Sequence, residues 1–191
     1  FGPGGVQIDA VTFGPQAAGV SEGRLPDGAA AMVRFPTTAT PEESNYLPLT
    51  NVVINEVLTH SDPPLEDAIE LLNQTADSAH LGGWYLSDAR NTPRKFRIPE
   101  GTVLDPGEFI VFYEHAFNSD PTDPLSFALS SAKGDSLWLS EADAAGNLTG
   151  YRSSVKFGPA ERGVSFGRHP TSVGVDFTAL SRRTFGVDDP D

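Results

Sequence analysis

The sequence has no cysteine, which excludes a disulfide framework and a thiolate metal site. That absence assigns no compartment, because 191 residues can bury a core without staples. Basic residues are scarce: 13 Lys and Arg stand against 26 Asp and Glu, a formal net charge of −13. Such a surface repels phosphate, which argues against a nucleic-acid or anionic-membrane partner. No apolar run approaches the roughly 20 residues that span a bilayer, and no signal-peptide pattern is present. The opening at Phe1, without Met, is read as a mature or excised piece of a longer protein.

Catalytic signatures are missing as well. The four histidines, His60, His80, His115 and His169, include no pair at the spacing of an HExxH helix. No GxSxG elbow surrounds a serine, and no GxxxxGK[ST] loop is present. His60-Ser61-Asp62 spells a triad in sequence, but triads are assembled across space, so adjacency carries no weight. Gly2, Gly4 and Gly5 precede no βα unit. No catalytic or cofactor-binding residue is assigned, and the chain is expected not to be an enzyme.

What is abundant is punctuation. Nineteen glycines and 16 prolines break the chain every several residues. Between them lie apolar runs of strand length: 52–58, 68–73, 84–87, 95–98, 108–113, 136–140 and 151–157. Several alternate, with Phe96 and Ile98 on one face against Lys95 and Arg97, and Leu137 and Leu139 against Trp138. Turn signals fall at Leu104–Gly107, Ser130–Gly134 and Ala144–Asn147. No stretch keeps a 3.6-residue period over a dozen positions. Six or more short strands at this spacing predict an all-β sandwich.

The runs NVVINEVL, EDAIELLNQT, LGGWYLSD and FRIPEGTVLDPGEFIVF, followed by the long run from Phe127 to Gly158, resemble the lamin-tail domain over about residues 51–185. The resemblance is strongest to the bacterial branch found in large secreted and surface proteins. Gly83-Trp84 after Leu81, and Leu104 with Pro106-Gly107, carry it most specifically. It implies an immunoglobulin-like β-sandwich and a non-catalytic role. The coiled-coil rod and basic localisation run of nuclear lamins are missing here, so the nuclear function is not carried over.

One phrase occurs twice. VTFGPQAAGVSEGR (11–24) and VKFGPAERGVSFGR (155–168) share nine of fourteen residues at an offset of 144. Pro26 and Pro170 extend the match, and Arg34-Phe35 aligns with Asp176-Phe177 after a two-residue gap. Residues 151–185 supply the last strands of the domain, so residues 8–45 read as the tail of a preceding copy. The expected organisation is 1–50 as tail strands plus linker and 51–191 as one complete sandwich, cut across a tandem repeat of about 144 residues. Two tails then compete for one head, residues 51–150. The first tail covers an edge as an add-on, or fills the head's groove as a circular permutation, or leaves residues 151–185 to enter the next chain as a homopolymer.

Binding candidates are few. Trp84 is expected in the core, with an exposed sugar platform as the other reading. Trp138, on the face away from Leu137 and Leu139, is the better glycan platform. Glu56 and Glu70 fall in apolar strands, and the loop between them offers Asp62, Glu66 and Asp67, the raw material of an oxygen-ligand Ca²⁺ site. The preferred reading is a solvated acidic loop with both strand glutamates facing water, and no metal site is assigned. Residues 141–147 read as a hairpin turn rather than a calcium loop. Asn73-Gln74-Thr75 and Asn147-Leu148-Thr149 are glycosylation sequons. Together these features predict a structural, adhesion or assembly module of a large repetitive extracellular or cell-surface protein. A glycan- or calcium-binding accessory module of a secreted hydrolase is the rival.

Overall fold

The computed structural model describes residues 2–187. Phe1 and residues 188–191, which the expected segments 1–50 and 51–191 include, lie outside the described residues. The strands in chain order begin with β1 (Ser21–Arg24), β2 (Met32–Phe35), β3 (Leu47–Pro48), β4 (Val52–Leu58) and β5 (Ala68–Asn73). They continue with β6 (Ala79–His80), β7 (Tyr85–Ser87), β8 (Phe96–Arg97), β9 (Val103–Leu104) and β10 (Phe109–Tyr113). After the single helical turn α1 (Glu114–Phe117) come β11 (Asp135–Ala142), β12 (Leu148–Phe157), β13 (Ser165–Thr171) and β14 (Gly174–Ala179).

Two five-stranded sheets form the sandwich, one ordered β10-β5-β4-β13-β14 and the other β3-β12-β11-β7-β8. The core lies between them. Val52, Ile54, Val57, Ile69 and Leu71 come from the first sheet, and Leu86, Leu137, Leu139, Val155 and Phe157 from the second. Within each strand these residues are spaced by two, because a strand presents every second side chain to one face, except for the three-residue step from Ile54 to Val57. Trp84 joins this core at 5 % exposure, as its sequence context predicts.

One departure from alternation matters. The β4–β5 register runs Ile54↔Leu71 and then Glu56↔Glu70, so Asn55 is an extra residue on β4. Without it Glu56 would share the core face with Ile54. The bulge turns the carboxylate to the outer face, opposite Glu70.

The closing strands of the head are its own. β12 pairs with β11 from Asp135↔Phe157 through Ser140↔Arg152, and β13 lies between β4 and β14. Residues 151–185, and not residues 8–45, fill the head of this chain, so it is not circularly permuted. The sandwich takes in residues from Leu47 on, ahead of the boundary expected at residue 51: β3 runs parallel to β12, and the Leu49 N–H donates to Arg152 O at 2.7 Å.

The two copies of the phrase share half of their structure. Residues 21–35 form the antiparallel hairpin β1–β2, as residues 165–179 form β13–β14. Residues 6–14 form no strand, whereas their counterparts 150–158 run mostly within β12. Val11, Phe13 and Gly14 match Val155, Phe157 and Gly158, while the other six positions differ. β12 has β11 beside it, and residues 6–14 have no such neighbour.

Candidate functional site

Past β14 the chain turns back and crosses the outer face of the first sheet as a strap, residues 180–187. The Leu180 N–H donates to Ser165 O, and its side chain lies over Gly167, where an added Cβ would come within 2.6 Å of Leu180 Cδ1. Further on, the Thr184 N–H reaches both Glu56 carboxylate oxygens, at 3.1 and 3.0 Å, and its Oγ1 donates to Oε2 at 2.6 Å. The Gly186 N–H donates to Glu70 Oε2, and Asn55 Nδ2 donates to Oε1 at 2.8 Å.

Both glutamates have no exposed surface. The expectation that they face water is corrected here: they do point away from the core, but the strap covers them. Burial pushes the Glu70 carboxyl up from its ordinary value and the charge of Glu56 adds to the rise, against hydrogen bonds from Asn55 and Gly186. The strap divides the outer face into two hollows. One of about 470 Å³ has Asn55, Leu72, Gln74 and Phe109 among its lining; one of about 370 Å³ has Leu58, Leu65, Tyr113 and Phe185.

The second sheet is covered by residues from the N-terminal side. Trp138 does lie on the face away from the core, but Tyr46 meets it edge-on at 5.9 Å between ring centroids. The Arg90 guanidinium sits over both rings, 5.9 Å from Tyr46 and 5.7 Å from Trp138, and is held by Glu43 at 2.6 Å. Arg152 lies over the other reach of Tyr46 at 5.8 Å. The indole is thus a docking point for the segment that precedes the sandwich, which is the add-on arrangement.

The family model of the lamin tail domain matches residues 48–157, which is 110 positions (157 − 48 + 1) of the 191. The chain belongs to the lamin tail domain family. No curated protein and no solved structure gives a match. The lamin tail domain is an immunoglobulin-like and generally non-catalytic module. The match ends at Phe157, so the hairpin β13–β14, the strap and the N-terminal hairpin all lie outside it.

Within this lamin tail domain the other sequence candidates are dispersed. His60 Nδ1 meets Ala160 O at 3.0 Å, and Ser61 Oγ donates to Asp67 Oδ1 at 2.8 Å, so His60, Ser61 and Asp62 make no triad. Asp62 pairs with Arg162 at 2.9 Å, and Glu66 with His115 at 2.7 Å. Asp67 is buried, and its carboxyl is pushed up by desolvation and by Glu114. The loop acids therefore do not join Glu56 and Glu70. Among the described residues no group of three or more His, Cys, Asp or Glu is placed to hold a metal ion. Asp143 caps the 141–147 turn, accepting from the N–H groups of Ala145 at 2.9 Å and Asn147 at 2.8 Å. Among the described residues no helix is long and apolar enough to cross a membrane.

Sequence reasoning missed Asn55, Thr184 and Gly186 as partners of the glutamates, and Tyr46 and Arg90 as the cover of Trp138. The strap has no alternating pattern, and its bonds to Glu56 and Glu70 are made mostly by backbone N–H groups, with one Thr hydroxyl, which leaves little mark on composition. A detectable signal lay in β4, where a glutamate two residues after Ile54 breaks the core period.

Proposed function

We propose that the chain is a non-catalytic structural module of a large, repetitive extracellular or cell-surface protein, working in spacing, adhesion or assembly. The observation that carries this reading is the repeated phrase taking the same hairpin form at 21–35 and at 165–179. A hairpin of one design ahead of a sandwich and again as its closing strands is what a tandem array gives when its period runs through the chain. The acidic surface supports the reading, because strong net charge keeps repeats from associating at random. The covered indole of Trp138 and the scattered loop acids offer no comparable support for a glycan- or calcium-binding module.

The test is mechanical. Stretched from both ends as one unit of a polyprotein, the chain should unfold residues 48–187, 140 positions (187 − 48 + 1), in one cooperative event. That event should release about 50 nm of contour at roughly 3.6 Å per residue. Extension without a discrete unfolding event overturns the reading, since a spacer has to hold its length under load.

A further inference from the structure

Residues 6–35 carry the parts of a closing tail without the head that it closes. Two independent features show the gap. In the second copy, Val155 and Phe157 are buried in the core, at 8 % and 4 % exposure. Their counterparts Val11 and Phe13 are 44 % and 66 % exposed, beside Val6 at 66 % and Ile8 at 73 %. In the second copy β13 is bonded along one side to β14 and along the other to β4, through Ser165↔Leu58, Phe166↔Val57 and Gly167↔Glu56. In the first copy β1 is bonded to β2, and among the described residues no strand pairs with its other edge, Ser21 to Gly23. Both defects trace to the same missing partners, a β11 for residues 6–14 and a β4 for the open edge of β1.

We propose that residues 6–35 close a second lamin-tail head, taking there the places of β12, β13 and β14. The proposal rests on the repeat-module reading and names its interface. Exposed apolar residues on a strand-length segment beside an unpaired edge form a donor of main-chain hydrogen bonds and side-chain anchors together. The partner is a head of the 48–150 type from another repeat or another copy, because this chain's own slot is filled by β12. An intramolecular tail holds that slot at high effective concentration. Until a head is engaged, Asp9 pairs with Arg24 at 2.7 Å and tethers the segment to its own hairpin. Asp9 aligns with Ser153, a partly exposed position opposite Leu139 in the β11–β12 ladder, so the tether to Arg24 is released when the head is engaged.

The experiment adds the head. A second copy of residues 48–149 fused directly ahead of Val6 reproduces the junction at the 144-residue offset and leaves the rest of the chain intact. The fused chain should protect the amides of residues 7–14 from hydrogen exchange at least about tenfold more than the unfused chain does. Phe13→Asp in the fused chain should abolish that protection and leave the original sandwich folded. An added head that stays unfolded, or residues 7–14 that exchange equally in both chains, overturns the proposal. So does protection that survives Phe13→Asp. The force measurement on the unaltered chain is independent of all these outcomes, so loss of the interface and loss of the module reading are told apart.

Discussion

Glu56 and Glu70 stand directly opposite one another in the β4–β5 ladder, both without exposed surface, and each is bonded by a backbone N–H of the strap. Like charges placed so are costly unless donors or protons compensate. Asn55, Thr184 and Gly186 supply the donors, and burial favours the proton on Glu70. The strap is therefore joined to the sandwich through two carboxyl groups, so a pH dependence of its attachment is expected.

The first prediction concerns Glu70→Gln. The folded-state pKa of Glu70 lies above its ordinary value. Such a group contributes stability that is fully present below the unfolded pKa and is lost as pH rises through the folded one. Unfolding free energy should fall through this window in the parent chain, and fall less in Glu70→Gln, which keeps the shape and cannot ionise. Urea midpoints between pH 4 and pH 8 measure both slopes. Asp67, also raised by burial, keeps part of the slope in the variant. Identical slopes would show that Glu70 does not carry the linkage.

Thr184→Val removes one donor to a buried carboxylate without changing side-chain shape. The lost bond is the 2.6 Å contact from Oγ1 to Glu56. Stability should drop by about 1–3 kcal/mol, because a carboxyl oxygen with no exposed surface cannot turn to water for a replacement donor. Amide exchange at Gly186 should quicken in step, since the strap is then held more weakly. An unchanged midpoint in chemical denaturation contradicts this.

The fold was legible wherever periodicity and burial agree. Runs 52–58 and 68–73 became β4 and β5 with the same bounds, and the runs from residue 84 to residue 157 became β7, β8 and β10 to β12 within a few residues. Leu137 and Leu139 entered the core with Trp138 on the other face, as alternation requires. The two-residue strands β3, β6 and β9 were not legible, because no alternating run surrounds them as 95–98 surrounds β8. Nor was the fate of residues 6–14, since the match of Val11 and Phe13 to Val155 and Phe157 carries no information on whether a neighbouring strand is present. The site failed for a third reason. A glutamate in a strand reads as solvent-facing, and only the strap's path makes it buried.

Leu25, in the turn of the N-terminal hairpin, lies against Gly150 of β12. The glycine's φ is +91°, and an added Cβ would lie 2.3 Å from Leu25 Cδ1 and 3.6 Å from Pro26 Cα. Gly150→Ala should cost about 1–3 kcal/mol through the strained backbone alone. It should also displace the 25–26 turn. Limited proteolysis should then cut between residues 24 and 32 faster, while the 48–187 fragment persists. Cleavage at the parental rate would mean that the hairpin is held from elsewhere.

Tyr46→Ala uncovers Trp138. The edge-on ring contact and the two guanidinium contacts onto Tyr46 disappear together. A loss of about 1–2 kcal/mol is expected from the aromatic and cation–π terms. Tryptophan emission should shift to the red, and the shift belongs to Trp138 because Trp84 stays inside the core. Trp138→Phe in the same background should remove the shift. Emission unchanged by Tyr46→Ala would show that Tyr46 does not shield the indole.

Asn73 begins a sequon yet has no exposed surface. Its Nδ2 donates to the carbonyls of Asp77 at 2.8 Å and Leu104 at 2.9 Å, and lies 3.2 Å from that of Asp105. Its Oδ1 accepts from the N–H and Oγ1 of Thr75 at 3.1 and 2.7 Å. The side chain thus ties the end of β5 to the turn after β9, and folded protein has no room there for a glycan. Asn73→Ala should cost about 3 kcal/mol by leaving those carbonyls unpaired. Asn73→Asp should cost more at pH 7, because a carboxylate faces the same carbonyl oxygens and cannot donate. Lowering the pH through the raised pKa of that new carboxyl should restore part of the loss, since a protonated acid donates once. Made in a glycosylating host, the folded chain should carry sugar at exposed Asn147 and none at Asn73, which peptide mass mapping reads directly.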